Sequence, residues 1–218
     1  MNIRISVAIV CALLLVASVA FGADTSLLKP PPGARVALIE FEDLECPQCA
    51  HTSPLLHQAV DTYHIPWVRH DFPLPQHMWS FDAAVIARYF DSKSKKLGDG
   101  FRDYCFKNQI EITAQNLRQY AEQYAGSNKI ELPFVIDPLG KFAAQVKADA
   151  ALGERIGIHQ TPTVYVVSSG PTPFVEVTDN SQLFAIIDQM KQEAGAQAAP
   201  ASTRKTAGRH TRRTAANR

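Results

Sequence analysis

Two cysteines separated by two residues, Cys46-Pro47-Gln48-Cys49, directly follow the apolar run Val36-Ala37-Leu38-Ile39-Glu40-Phe41. Such a pair does dithiol chemistry when a helix begins at its first sulfur. Free backbone N–H groups and the helix dipole there favour the thiolate over the thiol, which makes Cys46 the low-pKa nucleophile. Cys49 lies one turn further on, within reach of a disulfide with little backbone movement. Pro47 suits the first helical position, where a missing N–H costs nothing. Much later, Thr161-Pro162-Thr163 forms a turn signal before a β-branched run. The same cysteines with His51 could instead ligate a soft ion. A closed zinc site wants four ligands, however, and His57, His64, His70 and His77 are scattered along the chain.

Periodicity supplies the elements that must position these groups. A strand is predicted at Arg35 to Glu42, a helix from Cys46 to about Tyr63 and a second strand at Pro66 to Phe72. Helical spacing then dominates, in Phe81 to Phe90, Phe101 to Lys107, Leu117 to Tyr124 and Phe142 to Leu152, with Gly98, Gly126 and Pro138 as punctuation. Leu132 to Ile136 reads as a loop. Thr163 to Val167 and Phe174 to Thr178, split by Ser168 to Pro173, read as a hairpin, and Gln182 to Gln192 as a closing helix. This order gives an α/β fold, a small central sheet with helices on its faces. Glu40 lies six residues before Cys46 inside the first strand. Its carboxyl is expected beneath the dithiol, with a pKa raised by desolvation. Glu42, Asp43 and Glu45 crowd the same loop, and their charge is expected to oppose a Cys46 thiolate.

The cysteine motif after a hydrophobic strand, an insertion of about 80 residues (roughly 78–156) and the Thr161-Pro162-Thr163 turn together resemble the DsbA-like thiol:disulfide oxidoreductases of the thioredoxin superfamily. The resemblance spans residues 34–192 and implies a thioredoxin-like fold with a helical insertion between the second strand and the cis-Pro strand. It implies that Cys46 is the attacked sulfur and Cys49 the buried, higher-pKa partner. It further implies that Thr161-Pro162 is cis and packed on the dithiol, with the Thr161 backbone free to pair with an extended substrate. Glu40 then moves a proton to or from Cys49, unless a neighbouring base merely satisfies it. Pro47, Gln48 and Thr161 fall at substrate-binding positions. Two departures bear on direction. The best-known oxidases of the family carry Pro-His where this chain has Pro47-Gln48, and Val where it has Thr161, so a weaker oxidant, a reductase or an isomerase is an alternative. The implied cofactor is the Cys46-Cys49 disulfide itself. The implied partners are exported cysteine-containing proteins and a membrane redox protein of the DsbB or vitamin K epoxide reductase type, with the chain acting as a monomer.

The chain's ends fit export. Arg4, the apolar stretch of 15 residues from Ile5 to Val19, and small residues at Ser18, Ala20 and Gly22 read as a signal peptide over residues 1–23. An uncleaved anchor is the alternative, although the stretch is shorter than the ~20 residues of a spanning helix. Export places the chain in a periplasmic or extracellular, oxidising compartment. Without Cys11, Cys105 is the odd thiol, and its helical phase with Phe101 predicts a buried small hydrophobe. The formal charge of +1 hides two opposed segments. Six cations and no acid lie in residues 194–218, which read as a disordered basic tail suited to an anionic surface or simply solvated. With Arg4 also removed, residues 24–193 carry −6 and are long enough for one domain. No nucleotide, flavin or phosphate motif is present, and nothing suggests nucleic acid.

Overall fold

Val36–Glu42 forms the central strand β1, and all seven of its residues are buried, as an apolar run covered on both faces requires. The computed structural model describes residues 23–197. The signal segment and most of the basic tail lie outside the described residues. Trp67–Asp71 (β2) pairs parallel to β1. Thr163–Ser168 (β3) pairs antiparallel on its other side, and Phe174–Glu176 (β4) follows as the edge, giving the order β2-β1-β3-β4.

Side chains alternate across this sheet with period two. Val36 and Leu38 meet Leu56 and Ala59 of α1 (Pro47–Tyr63) and Leu183 and Ile187 of α6 (Leu183–Gln197). Ala37, Ile39 and Phe41 turn to the opposite face, against Phe72, Ile156 and Ile158. Glu40 and Glu42 therefore share the α1 face. Between β2 and β3 run α2 (Ser80–Asp91), α3 (Lys95–Lys107), α4 (Leu117–Ser127) and α5 (Lys141–Ile156). Their own core gathers Phe90, Phe101, Cys105 and Tyr124, and it extends to Leu44, Cys46 and Cys49, so the cysteine pair sits where the insertion meets the sheet. Among the described residues no helix is long and apolar enough to cross a membrane.

Three helices differ from the sequence reading in ways that packing explains. Gly98 and Gly126 lie inside α3 and α4 instead of ending segments. The reason at Gly98 is packing: a Cβ there would come within 1.8 Å of Asp91 Oδ1, so glycine lets α2 and α3 approach. Ser94 caps α3, its Oγ accepting from the Leu97 N–H at 3.2 Å. α6 continues to Gln197, beyond Gln192 and into the segment assigned to the tail, because Ala194 is buried in the α1–α6 core. Residues 132–136 carry no strand, as expected.

Candidate active site

Cys46 is the N-cap of α1 in extended backbone conformation, and Pro47 is the first helical residue. The sulfur therefore sits at the helix N-terminus, where backbone N–H groups lack helical partners. Cys49, one turn on, is fully buried, while Cys46 keeps 6% of its surface exposed. Both are free thiols here. The Cys49 S–H donates to Cys46 and so favours a Cys46 thiolate; Thr161 and the Gln48 and Cys49 backbone N–H groups act in the same direction. Against the opposing effect of burial, they bring the Cys46 pKa down to about 5. Burial, the bond to Cys46 and the nearby Glu40 push the Cys49 thiol far up. The Asp43 N–H contacts the Cys49 sulfur at 3.5 Å.

Thr161-Pro162 is a cis peptide, and it closes the site from β3. In its protonated form Cys46 donates from Sγ to the Thr161 carbonyl at 3.3 Å. A Cys46 thiolate has no proton to give, so this contact belongs to the thiol form alone. The buried Thr161 hydroxyl has no hydrogen-bond partner, and it lies near enough to Cys46 to help lower the thiol pKa.

Each of the three loop acids is drawn into a separate contact, and, contrary to expectation, none of them is a leading influence on Cys46. Glu42 is gripped by Arg69, with Nη2 at 2.7 Å, and touched by Arg102 Nε at 3.1 Å. Asp43 accepts from the Glu45 N–H at 2.7 Å, the Leu74 N–H at 2.6 Å and His77 Nδ1 at 2.7 Å. Glu45 accepts from the Trp79 N–H at 2.7 Å. The leading influences on Cys46 come from its own partners and not from these carboxylates. Glu40 is different. It is fully buried, and neither carboxyl oxygen has a hydrogen-bond partner. The Trp67 indole N–H lies near it without hydrogen-bond geometry. Desolvation first, then the charge of Glu42, push its pKa well above the ordinary carboxylate range.

The thioredoxin family matches residues 31–170, nearly two thirds of the sequence, from the segment before β1 to the turn after β3. The chain belongs to the thioredoxin family. No curated protein matches it. Wolbachia pipientis alpha-DsbA1 superposes with a TM-score of 0.62 at 16% identity, covering 78% of this chain and 92% of that one. Pseudomonas aeruginosa DsbA2 gives 0.55 at 20% identity over 76% and 93%. Proteus mirabilis ScsC gives 0.58 at 18% identity over 77% and 71%. The DsbA-like fold with its helical insertion is thus shared by all three.

Within this thioredoxin-family fold, Cys46, Cys49, Thr161 and Pro162 converge, with Glu40 beneath Cys49 and with Pro47 and Gln48 exposed beside the first sulfur. Sequence reasoning missed Gln109. From the turn after α3, its Nε2 donates to the Leu44 carbonyl at 2.9 Å and the Cys46 carbonyl at 3.1 Å. No local signal pointed to it, because the contact spans 63 residues of sequence. Cys105 is buried in α3 as expected, and burial pushes its thiol pKa up.

Proposed function

We propose that the protein is an exported thiol:disulfide oxidoreductase that forms disulfides in secreted proteins, with the Cys46-Cys49 disulfide as its own cofactor. One observation carries the reading: two sulfurs one helical turn apart have opposed environments, Cys46 held as thiolate and Cys49 held as thiol. A substrate thiolate attacks Cys46 Sγ, the Cys46–Cys49 bond breaks, and its electron pair leaves on Cys49, which takes up a proton. A second substrate thiolate then attacks the substrate sulfur of the mixed disulfide. Cys46 departs as thiolate, and the substrate has lost two electrons to the protein dithiol. A leaving group this stable favours the reduced protein and hence oxidation of the substrate. Glu40 is the proton donor and acceptor for Cys49, because it is buried beside that sulfur and carries no competing hydrogen bond. Two electrons then pass to a membrane oxidant of the DsbB or vitamin K epoxide reductase type, with the chain acting as a monomer in the periplasm.

Equilibration with glutathione buffers tests the direction. The oxidase reading expects a potential above about −180 mV, the value for protein disulfide isomerase, whereas one near about −270 mV, that of thioredoxin, makes the protein a reductase. Cys49→Ser is expected to trap mixed disulfides on Cys46; trapping by Cys46→Ser instead reverses the assignment of the two sulfurs.

A further inference from the structure

The main chain of Asp43, the first residue after β1, meets both cysteines. Its carbonyl accepts from the Cys46 N–H at 3.0 Å, and its own N–H donates to the Cys49 sulfur at 3.5 Å. The first contact touches Cys46 away from its sulfur. The second lies on the atom that must carry charge whenever the Cys46–Cys49 bond opens or closes. Cys49 is fully buried, a turn beyond the helix end whose backbone N–H groups serve Cys46. Burial, Cys46 and Glu40 all disfavour a charged Cys49, whereas the Asp43 N–H favours it.

The Asp43 side chain holds this N–H in place. It is fully buried, and its carboxylate accepts three hydrogen bonds. Oδ1 receives the Glu45 N–H at 2.7 Å, and Oδ2 receives the Leu74 N–H at 2.6 Å and His77 Nδ1 at 2.7 Å. A carboxylate only accepts, so His77 Nδ1 carries the proton of its bond. Glu45 belongs to the same loop as Asp43, whereas Leu74 and His77 lie between β2 and α2 and anchor that loop from outside. Two of the three donors are main chain. His77 is the one side chain in the set, and it is 18% exposed.

We propose that the Asp43 N–H takes up the negative charge that develops on Cys49 Sγ during exchange, and that His77 is the positioning residue that aims it through the Asp43 carboxylate. The proposal rests on the exchange between Cys46 and Cys49 described above and gives its Cys49 half a fixed donor. Glu40 supplies or removes the proton. The Asp43 N–H transfers none and stabilises the sulfur while the S–S bond is partly formed.

Reaction of the reduced protein with excess oxidised glutathione separates the two sulfurs. In the first phase the Cys46 thiolate attacks one glutathione sulfur, forming a Cys46–glutathione disulfide and expelling a glutathione thiolate. In the second, Cys49 gives up its proton and attacks Cys46 Sγ. The Cys46–glutathione bond breaks, and its electron pair leaves on the second glutathione. The first rate grows with glutathione concentration and the second does not, and acid quenching with intact-mass measurement follows both. His77→Ala is expected to slow the second phase about fivefold, the effect of one net hydrogen bond, and to leave the first unchanged. His77→Asn places an amide N–H where Nδ1 stood and is expected to restore the second phase to within about twofold. The two main-chain donors stay on Asp43 in each variant, so its carboxylate remains paired. His77→Gln fills the same space but carries its amide a bond too far. It is expected to slow the second phase as alanine does, which keeps the test decisive if alanine disturbs the loop. An unaltered second phase in His77→Ala and His77→Gln, equal slowing of both phases, or no recovery with asparagine overturns the proposal. A wild-type protein that forms neither the glutathione adduct nor the Cys46–Cys49 disulfide overturns the oxidoreductase reading itself.

Discussion

Glu40 and Glu42 stand two residues apart on the same face of one buried strand, and the fold treats them in opposite ways. Glu42 opens a network across the junction with the insertion. Arg69 and Arg102 clamp it, Arg102 continues to Asp71 at 3.2 Å and Asp91 at 3.1 Å, and Arg88 joins Asp71 to Asp149. Burial raises the Glu42 pKa, and the two guanidinium groups pull it back. Glu40 receives no hydrogen bond or ion-pair contact of this kind, and its charge is felt at Cys49. One acid is spent on joining two halves of a fold; the other, in the function proposed above, is the proton carrier. A buried carboxyl without a hydrogen bond is costly and persists where a reaction uses it.

The sharpest way to break this contrast is at Arg102, which is fully buried and faces three carboxylates. Arg102→Met strands Glu42, Asp71 and Asp91 without their shared cation. The loss expected in urea unfolding is about 3–5 kcal/mol. A loss below about 1 kcal/mol would mean that water from the adjoining cavity, which Arg102 helps to line, already solvates these acids, and the network would not be the joint described above.

This network marks the limit of sequence reading. The dithiol, its helix and the strand order were legible because each rests on local spacing, and the cis Thr161-Pro162 followed from family resemblance. Arg69, Arg88 and Arg102 carried no such mark. Each occupies a strand or helix position whose polarity suggests a solvated face, and only the docking of α2, α3 and α5 against β2 buries them together. For the same reason the sequence points to Glu42, Asp43 and Glu45 as charges opposing the Cys46 thiolate. Their true partners, such as His77 and Trp79, lie more than 30 residues away. Glu40 was legible because a single acid in an apolar run has few alternatives to burial.

A smaller effect sharpens the other half of the contrast. Glu40→Gln keeps the shape and removes the proton, so release of a trapped mixed disulfide by Cys49 is expected to slow about tenfold to a hundredfold. Stability is expected to change by less than about 1 kcal/mol, since no ion pair is lost. The release rate is also expected to lose the pH dependence that a titrating Glu40 gives it. An unchanged pH profile with a slower rate would assign Glu40 to packing and remove it from the proton path.

The smallest effect tests where the network meets water. His57 Nε2 lies 3.0 Å from Asp103 Oδ2, with both side chains about two-fifths exposed, and Asp103 also binds the buried Arg69 at 3.2 Å. The Asp103 carboxylate raises the His57 pKa above its ordinary 6.5. A histidine whose folded pKa is raised contributes fully below its unfolded value, and the contribution fades as pH rises through the folded value. Discounted for shared solvent, the pair is worth under about 1 kcal/mol. His57→Gln is therefore expected to cost a few tenths of a kcal/mol at about pH 5.5 and nothing measurable at about pH 8.5. An equal loss at both pH values would trace instead to the edge-on contact of His57 with Trp67, whose ring centroids lie 5.0 Å apart. The network would then end at Arg69, inside the protein, with no titrating group at its rim.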